Sequence, residues 1–168
     1  MYATVLMLLF RLATAGAMAA GQLAVPPLEG RVNDRAGVFS QSDLRSLTKL
    51  LKDYESETHH QIAVLTTPTL SGEQIESFSL RVANTWHIGL KGWDDGIVVT
   101  LAMREREIRI EVGKGMEHYI SDAAARDIIE RDMIPAFRRG DFAGGVRAGL
   151  MALMEKARKY RIVRPPKA

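Results

Sequence analysis

Two apolar runs separated by three residues constrain this chain more than any other feature. Residues 96–103 form a continuous apolar run interrupted only by Thr100, and residues 107–112 alternate Ile108, Ile110 and Val112 with Glu107, Arg109 and Glu111. Only Arg104, Glu105 and Arg106 stand between them. A connection that short permits an antiparallel hairpin and excludes a crossover. The first run therefore reads as a central strand covered on both faces, the second as a strand with one buried and one polar face.

The segments upstream extend the sheet. Residues 62–66 are apolar and β-branched and end near Pro68, as a buried strand does. Ile75, Phe78, Val82, Ala83 and Trp86 follow at helical spacing. Two strands joined through a helix run parallel, with a right-handed crossover expected. Ahead of them, Ser40 and Asp43 form a capping-box pattern before Leu44, Leu47, Leu51 and Tyr54, and Ser71 and Gln74 repeat that pattern before the second helix. Ser121 or Asp122 caps a third helix carrying Ala125, Ile128, Ile129 and Met133; Pro135 disturbs it and Gly140 stops it. Asp141 caps a last helix with the stripe Phe142, Val146, Leu150, Leu153 and Ala157. Its Gly144, Gly145 and Gly149 each cost about 1 kcal/mol relative to alanine, which points to close backbone packing. The result is an α/β chain: a small mixed sheet with helices on both faces.

A chain of 168 residues fits one domain. Its net charge of +3 is too small to indicate a nucleic-acid partner. It has no cysteine, so the core must be stable without disulfides. Residues 1–19 read as a signal peptide, with the apolar run Val5 to Phe10 and the small-x-small pattern Ala17-Met18-Ala19. That stretch is too short to span a bilayer. No basic residue precedes the run and Arg11 lies within it, which leaves an uncleaved interfacial anchor as the alternative. Residues 20–30, with Pro26, Pro27 and Gly30, read as an extended lead-in, residues 31–160 as the domain, and residues 161–168 as a solvated basic tail.

Six segments stand together in a recognisable order: 32–40 around Asp34, Ala36 and Gly37; 61–64; 86–89, from Trp86 to Gly89; 94–99, opening Asp94-Asp95-Gly96; 109–117, with Glu111, Gly113, Gly115 and Glu117; and 135–142, from Pro135 to Asp141-Phe142. Each is weak alone. Together, over about residues 31–154, they resemble the TPM-domain family of thylakoid lumens and bacterial envelopes. The resemblance implies a three-layer α/β/α sandwich and an exported location, periplasmic or otherwise outside the cytoplasm. It also implies one of two activities, since some members are described as acid phosphatases and others as binding calcium or magnesium at an acidic cleft. Many members carry a carboxy-terminal membrane helix or a Gly-rich tail. This sequence shows neither, so a form without a stable transmembrane span is expected, as a monomer.

Hairpin geometry adds a site independently of the resemblance. Pairing 97–103 with 107–112 puts residues 94–95 at the same sheet edge as 113–117, so Asp94, Asp95 and Glu117 converge, with Glu111 just above. Carboxylate clusters suit hard cations such as calcium and magnesium. The resemblance adds Asp34 to this metal set and makes Asp34 and Asp95 the catalytic candidates. The alternative is that Asp94-Asp95-Gly96 is a solvated turn. For phosphoryl transfer, Lys114 or Arg109 can contact phosphate, and Gly113-Lys114-Gly115 either offers backbone N–H groups to an anion or simply ends a strand. No P-loop, nucleophile elbow or zinc-protease motif is present. His59, His60, His87 and His118 lack ligand spacing and read as structural or solvated. Trp86 reads as core, and Trp93 as a candidate to line a cleft or a partner surface. Two functions stay open: a metal-binding envelope module that interacts with or maintains membrane protein complexes, and a metal-dependent phosphatase acting on phosphopeptides or small phosphate esters.

Overall fold

The computed structural model describes residues 22–159. The leader at 1–19 and the basic tail at 161–168 lie outside the described residues. Four strands form one sheet in the order β1-β2-β3-β4: β1 Val32–Asp34, β2 Ile62–Thr67, β3 Ile97–Ala102 and β4 Glu107–Val112. β1, β2 and β3 run parallel, and β4 returns antiparallel beside β3, with Ile97 opposite Val112 and Ala102 opposite Glu107. The hairpin and the parallel β2–β3 pair are as the sequence predicts. β1 is an addition, because three residues are too few to show a period.

Helix α1, Gln41–Thr58, opens with the expected capping box: Asp43 N–H donates to Ser40 Oγ and Ser40 N–H to the Asp43 carboxylate, both at 3.1 Å. Helix α2, Ile75–Trp86, departs from expectation. Its N-cap is Gln74, which makes no side-chain cap bond, while Ser71 sits at φ 54° in the preceding turn. The second capping box therefore does not form, since the helix begins a full turn later than Ser71 requires.

Ser121 caps α3, Asp122–Ile128, through Ala124 N–H. A π-helical turn, Ile129–Met133, continues into α4, Ile134–Phe137. Pro135 supplies the cause: it has no N–H for the carbonyl four residues back and its ring crowds that turn, so the chain widens ahead of it. Asp141 then caps α5, Phe142–Ala157, by accepting from Gly144 N–H at 2.8 Å. A Cβ on Gly145 would lie 2.4 Å from the Phe137 ring, and one on Gly149 2.6 Å from Met133 Cγ, so the expected close packing is present. Gly144 instead makes room for its own cap, the Asp141 carboxylate.

The sheet is the middle of three layers. Ile62, Val64, Val99, Leu101 and Ile110 face α1, α3 and α5, and Ala63, Leu65, Val98 and Ala102 face α2. The lead-in straps over α2: Trp86 Nε1 donates to the Pro26 carbonyl at 2.8 Å, and Arg81, paired with Glu73, reaches the Leu23 carbonyl at 2.7 Å. The β1–α1–β2 and β2–α2–β3 units step the same way across the sheet with their helices on opposite faces. Their crossovers therefore have opposite hands, and only one can follow the right-handed rule. Among the described residues, no helix is long and apolar enough to cross a membrane.

The two capping patterns separate in a urea titration. Ser40→Ala is expected to lower unfolding free energy by about 1 kcal/mol, whereas Gln74→Ala stays within about 0.5 kcal/mol of the parent.

Candidate functional site

Strand direction decides which acidic residues can meet. Asp34 ends β1 and is level with Thr66 on β2, which is level with Leu101 on β3. Asp95 precedes β3, so Leu101 is six residues further on, about 20 Å along the strand. Asp34 therefore lies at the carboxyl edge of the parallel strands and Asp94 and Asp95 at the amino edge. The expected convergence of Asp34 with Asp94, Asp95 and Glu117 does not occur. The reason is β1 itself: pairing parallel to β2, it carries its last residue away from the loop that leads into β3.

Asp34 has other work. Its carboxylate accepts from Thr66 Oγ1, from Val38 N–H at 3.2 Å and from Phe39 N–H at 2.9 Å, while Thr66 Oγ1 accepts from Ala36 N–H at 3.0 Å. Loops leaving β1 and β2 turn toward opposite faces here, the place where open α/β sheets form a ligand crevice. The Asp34–Thr66 staple sits at this point.

At the amino edge Asp95 points inward. It is 0% exposed; one oxygen accepts from Leu90 N–H at 2.7 Å and the other lies 3.2 Å from Nδ1 of His60, itself 1% exposed. Burial pushes the Asp95 carboxyl up, but the His60 ring and the Leu90 N–H together pull harder the other way and leave it below its ordinary value. The buried Tyr54 phenol beside this pair, its ring centroid 6.4 Å from that of His60, is pushed up to about 12 by burial. Sequence reasoning placed His60 among structural or solvated histidines. No spacing rule pairs it with a residue 35 positions later.

Backbone contacts seal the rest of this edge. A Cβ on Gly96 would stand 2.0 Å from the Ile88 carbonyl oxygen, and one on Gly113 2.1 Å from that of Asp94. Gly113 N–H donates to the Gly96 carbonyl at 2.8 Å and Gly115 N–H to the Asp94 carbonyl at 2.9 Å. The two glycines of this turn thus spend their N–H groups on the neighbouring loop, leaving neither of those for an anion. Asp94 and Glu117 are exposed on these adjoining loops, and Glu111 is held by Arg109 at 2.7 Å. Among the described residues no group of three or more His, Cys, Asp or Glu is placed to hold a metal.

A half-open concavity lies at the opposite edge, on the α5 face. A cleft of about 560 Å³ has Leu101, Met103 and Ile108 of the hairpin on one side and Ile129, Ile134, Phe137 and Phe142 on the other. The exposed Arg106, Glu107 and Arg138 complete its lining at the mouth. Neither arginine has an ion-pair partner among the described residues. Arg106 adopts φ 58°, a left-handed conformation costly for an arginine. Its turn is held from behind by Glu105, which accepts from Thr69 Oγ1 at 2.7 Å and Leu70 N–H at 3.1 Å. Sequence reasoning took residues 135–142 as a helix break and missed this wall.

Residues 32–156 match the family model of the TPM domain. The chain belongs to the TPM-domain family. It is 30% identical to the N-terminal domain of a protein from P. gingivalis, covering 76% of this chain and 82% of that one, with a TM-score of 0.70. The N-terminal domain of the cg2496 protein from Corynebacterium glutamicum is similar at 19% identity, with 88% and 94% covered and a TM-score of 0.61. BA42 protein from Bizionia argentinensis is similar at 18%, with 73% and 83% covered and a TM-score of 0.64. The latter two support the fold alone. No protein of curated function matches the chain.

Within this TPM domain the six resembling segments divide by place. Segments 61–64, 86–89, 94–99 and 109–117 come together in the amino-edge junction, 32–40 is tied to the end of β2 at the carboxyl edge, and 135–142 contributes to one wall of the cleft.

The junction is expected to be acid-sensitive through Asp95. Its folded pKa is lowered, so it contributes stability above the ordinary value of 3.8 that is lost as pH falls through the lower folded value. Asp95→Asn should flatten that acid limb when urea midpoints are compared below and above pH 3.8. In the same assay Gly96→Ala, which sets a methyl group against rigid backbone, is expected to lower stability by about 2 kcal/mol or more.

Proposed function

We infer that this TPM domain is the binding module of an exported protein, working through the arginine-rimmed cleft in association with membrane protein complexes of the envelope. The separation of the acidic candidates carries this reading. Asp34 and Asp95 lie at opposite sheet edges and cannot act on one phosphate. Each is also committed to holding a loop, Asp34 across residues 34–39 and Asp95 between His60 and Leu90. A phosphoryl-transfer site needs a nucleophile or base and charge neutralisation converging on one centre. The cleft offers apolar walls and two arginines, which suits recognition better than hydrolysis. Export is supported by the apolar run and small-x-small pattern within residues 1–19.

Turnover of p-nitrophenyl phosphate in calcium or magnesium is expected to stay at the buffer background. Activity that disappears in folded Asp34→Asn or Asp95→Asn protein would instead establish the phosphatase reading. Envelope proteins captured by the wild type are expected to be lost with Phe137→Asp.

One observation favours a cation as well. Gly115 N–H bonded to the Asp94 carbonyl holds together the two loops that expose Asp94 and Glu117. Two carboxylates completed by water make a weak, outward-facing site for calcium or magnesium. Calorimetric titration is expected to give a calcium dissociation constant no tighter than about 10⁻⁴ M. Asp94→Ala/Glu117→Ala should abolish that binding, and Asp34→Ala should leave it unchanged.

A further inference from the structure

The cleft's charge and shape narrow what it takes. We propose that it binds a small amphiphilic monoanion, an alkyl chain or apolar ring system bearing one carboxylate; the inference rests on the cleft being the working surface.

Three features point there. A volume of about 560 Å³ lies within the range of small-molecule pockets. The walls come from Leu101, Ile108, Ile129, Phe137 and Phe142, with the Phe137 and Phe142 ring centroids 5.5 Å apart, so the body of the ligand is apolar. The mouth carries Arg106 and Arg138 against Glu107, a net charge of +1, which one carboxylate neutralises and a dianionic phosphate exceeds.

The mouth is also pre-set. Arginine at a left-handed position gains nothing for the hairpin, where glycine or asparagine is favoured. Glu105 anchors the turn to residues 69–70 and so holds Arg106 beside the cleft before any ligand arrives. On the facing side Pro135 widens the helix into the π turn, whose Ile129 and succeeding Ile134 both line the wall. The described chain enters over α2 on the other face, and Arg158, just beyond α5, lies against Glu57 near the far end of α1. Neither described end covers the opening.

The test is an amide NMR titration of the full chain with decanoate, decyltrimethylammonium and decanol, the two ions kept below their micelle-forming concentrations and the alcohol below its solubility limit. Decanoate is expected to shift the amides of Leu101, Ile108, Phe137 and Arg138, with the cation inactive and the alcohol at least about tenfold weaker. Equal shifts from all three would overturn the anion preference while leaving the cleft as a binding site. No shift at these amides from any of them would overturn the ligand assignment, while loss of envelope-protein capture in Phe137→Asp would still leave the cleft as a working surface. Arg106→Gly separates recognition from folding, because glycine relieves the positive φ. Its melting temperature should not fall, yet decanoate affinity should drop about tenfold. Unchanged affinity in Arg106→Gly and Arg138→Gln alike would overturn the assignment of the mouth.

Discussion

A carboxylate removed from water at the start of β3 organises this domain. An unpaired charge at the site of Asp95 would be costly, and the chain meets that cost by bringing His60 from the end of α1 and the Leu90 N–H from the α2–β3 loop onto its two oxygens. Those contacts fix where β3 begins relative to β2, and the glycine contacts among residues 88–96 and 113–115 follow from loops drawn this close. The β3–β4 hairpin inherits its position from the same junction. An acidic pair that looks like chemistry in the sequence is half architecture: Asp95 faces in, and Asp94, one residue earlier at φ 52°, faces out.

The two edges of the sheet consequently have different characters. At the amino edge backbone meets backbone, and exposed side chains such as Asp94, Lys114 and Glu117 project from the packed loops. The carboxyl edge holds the point between β1 and β2 where the loops part toward opposite faces, and there Asp34 and Thr66 bond to each other and to the 36–39 backbone. Open space survives one strand over, between the hairpin and the helical segment that Pro135 distorts. A regular helix from Asp122 to Phe137 would turn different side chains toward the hairpin; the π turn rotates the following residues and leaves Ile134 and Phe137 on the wall.

Members of one fold family share such a frame while differing in what they bind. Here the frame is assembled from short segments that each serve a packing or capping need: Asp34 for the 34–39 loop, Gly96 and Gly113 for loop contact, Asp141 for α5. Their order in the chain makes the family recognisable. Their roles are largely internal, so recognition of the family does not carry a reaction with it.

Local chemistry was readable from the chain alone. A three-residue gap forces a hairpin, a helix between strands forces parallel pairing, and Ser40, Ser121 and Asp141 cap helices because an oxygen three residues ahead of an N–H needs no distant partner. The close packing of Gly145 and Gly149 also follows from their cost in a helix. Ser71 misled because a capping pattern does not say whether the helix reaches back to it. What only the tertiary structure decided is everything set by strand direction and long-range contact. The three-residue β1 carries no period, yet its parallel pairing sends Asp34 to the edge opposite Asp95, and no local rule joins His60 to Asp95 or Phe137 to Leu101. Spacing along the chain determines which residues share a face; the end of the sheet they occupy is fixed only when the strands have paired.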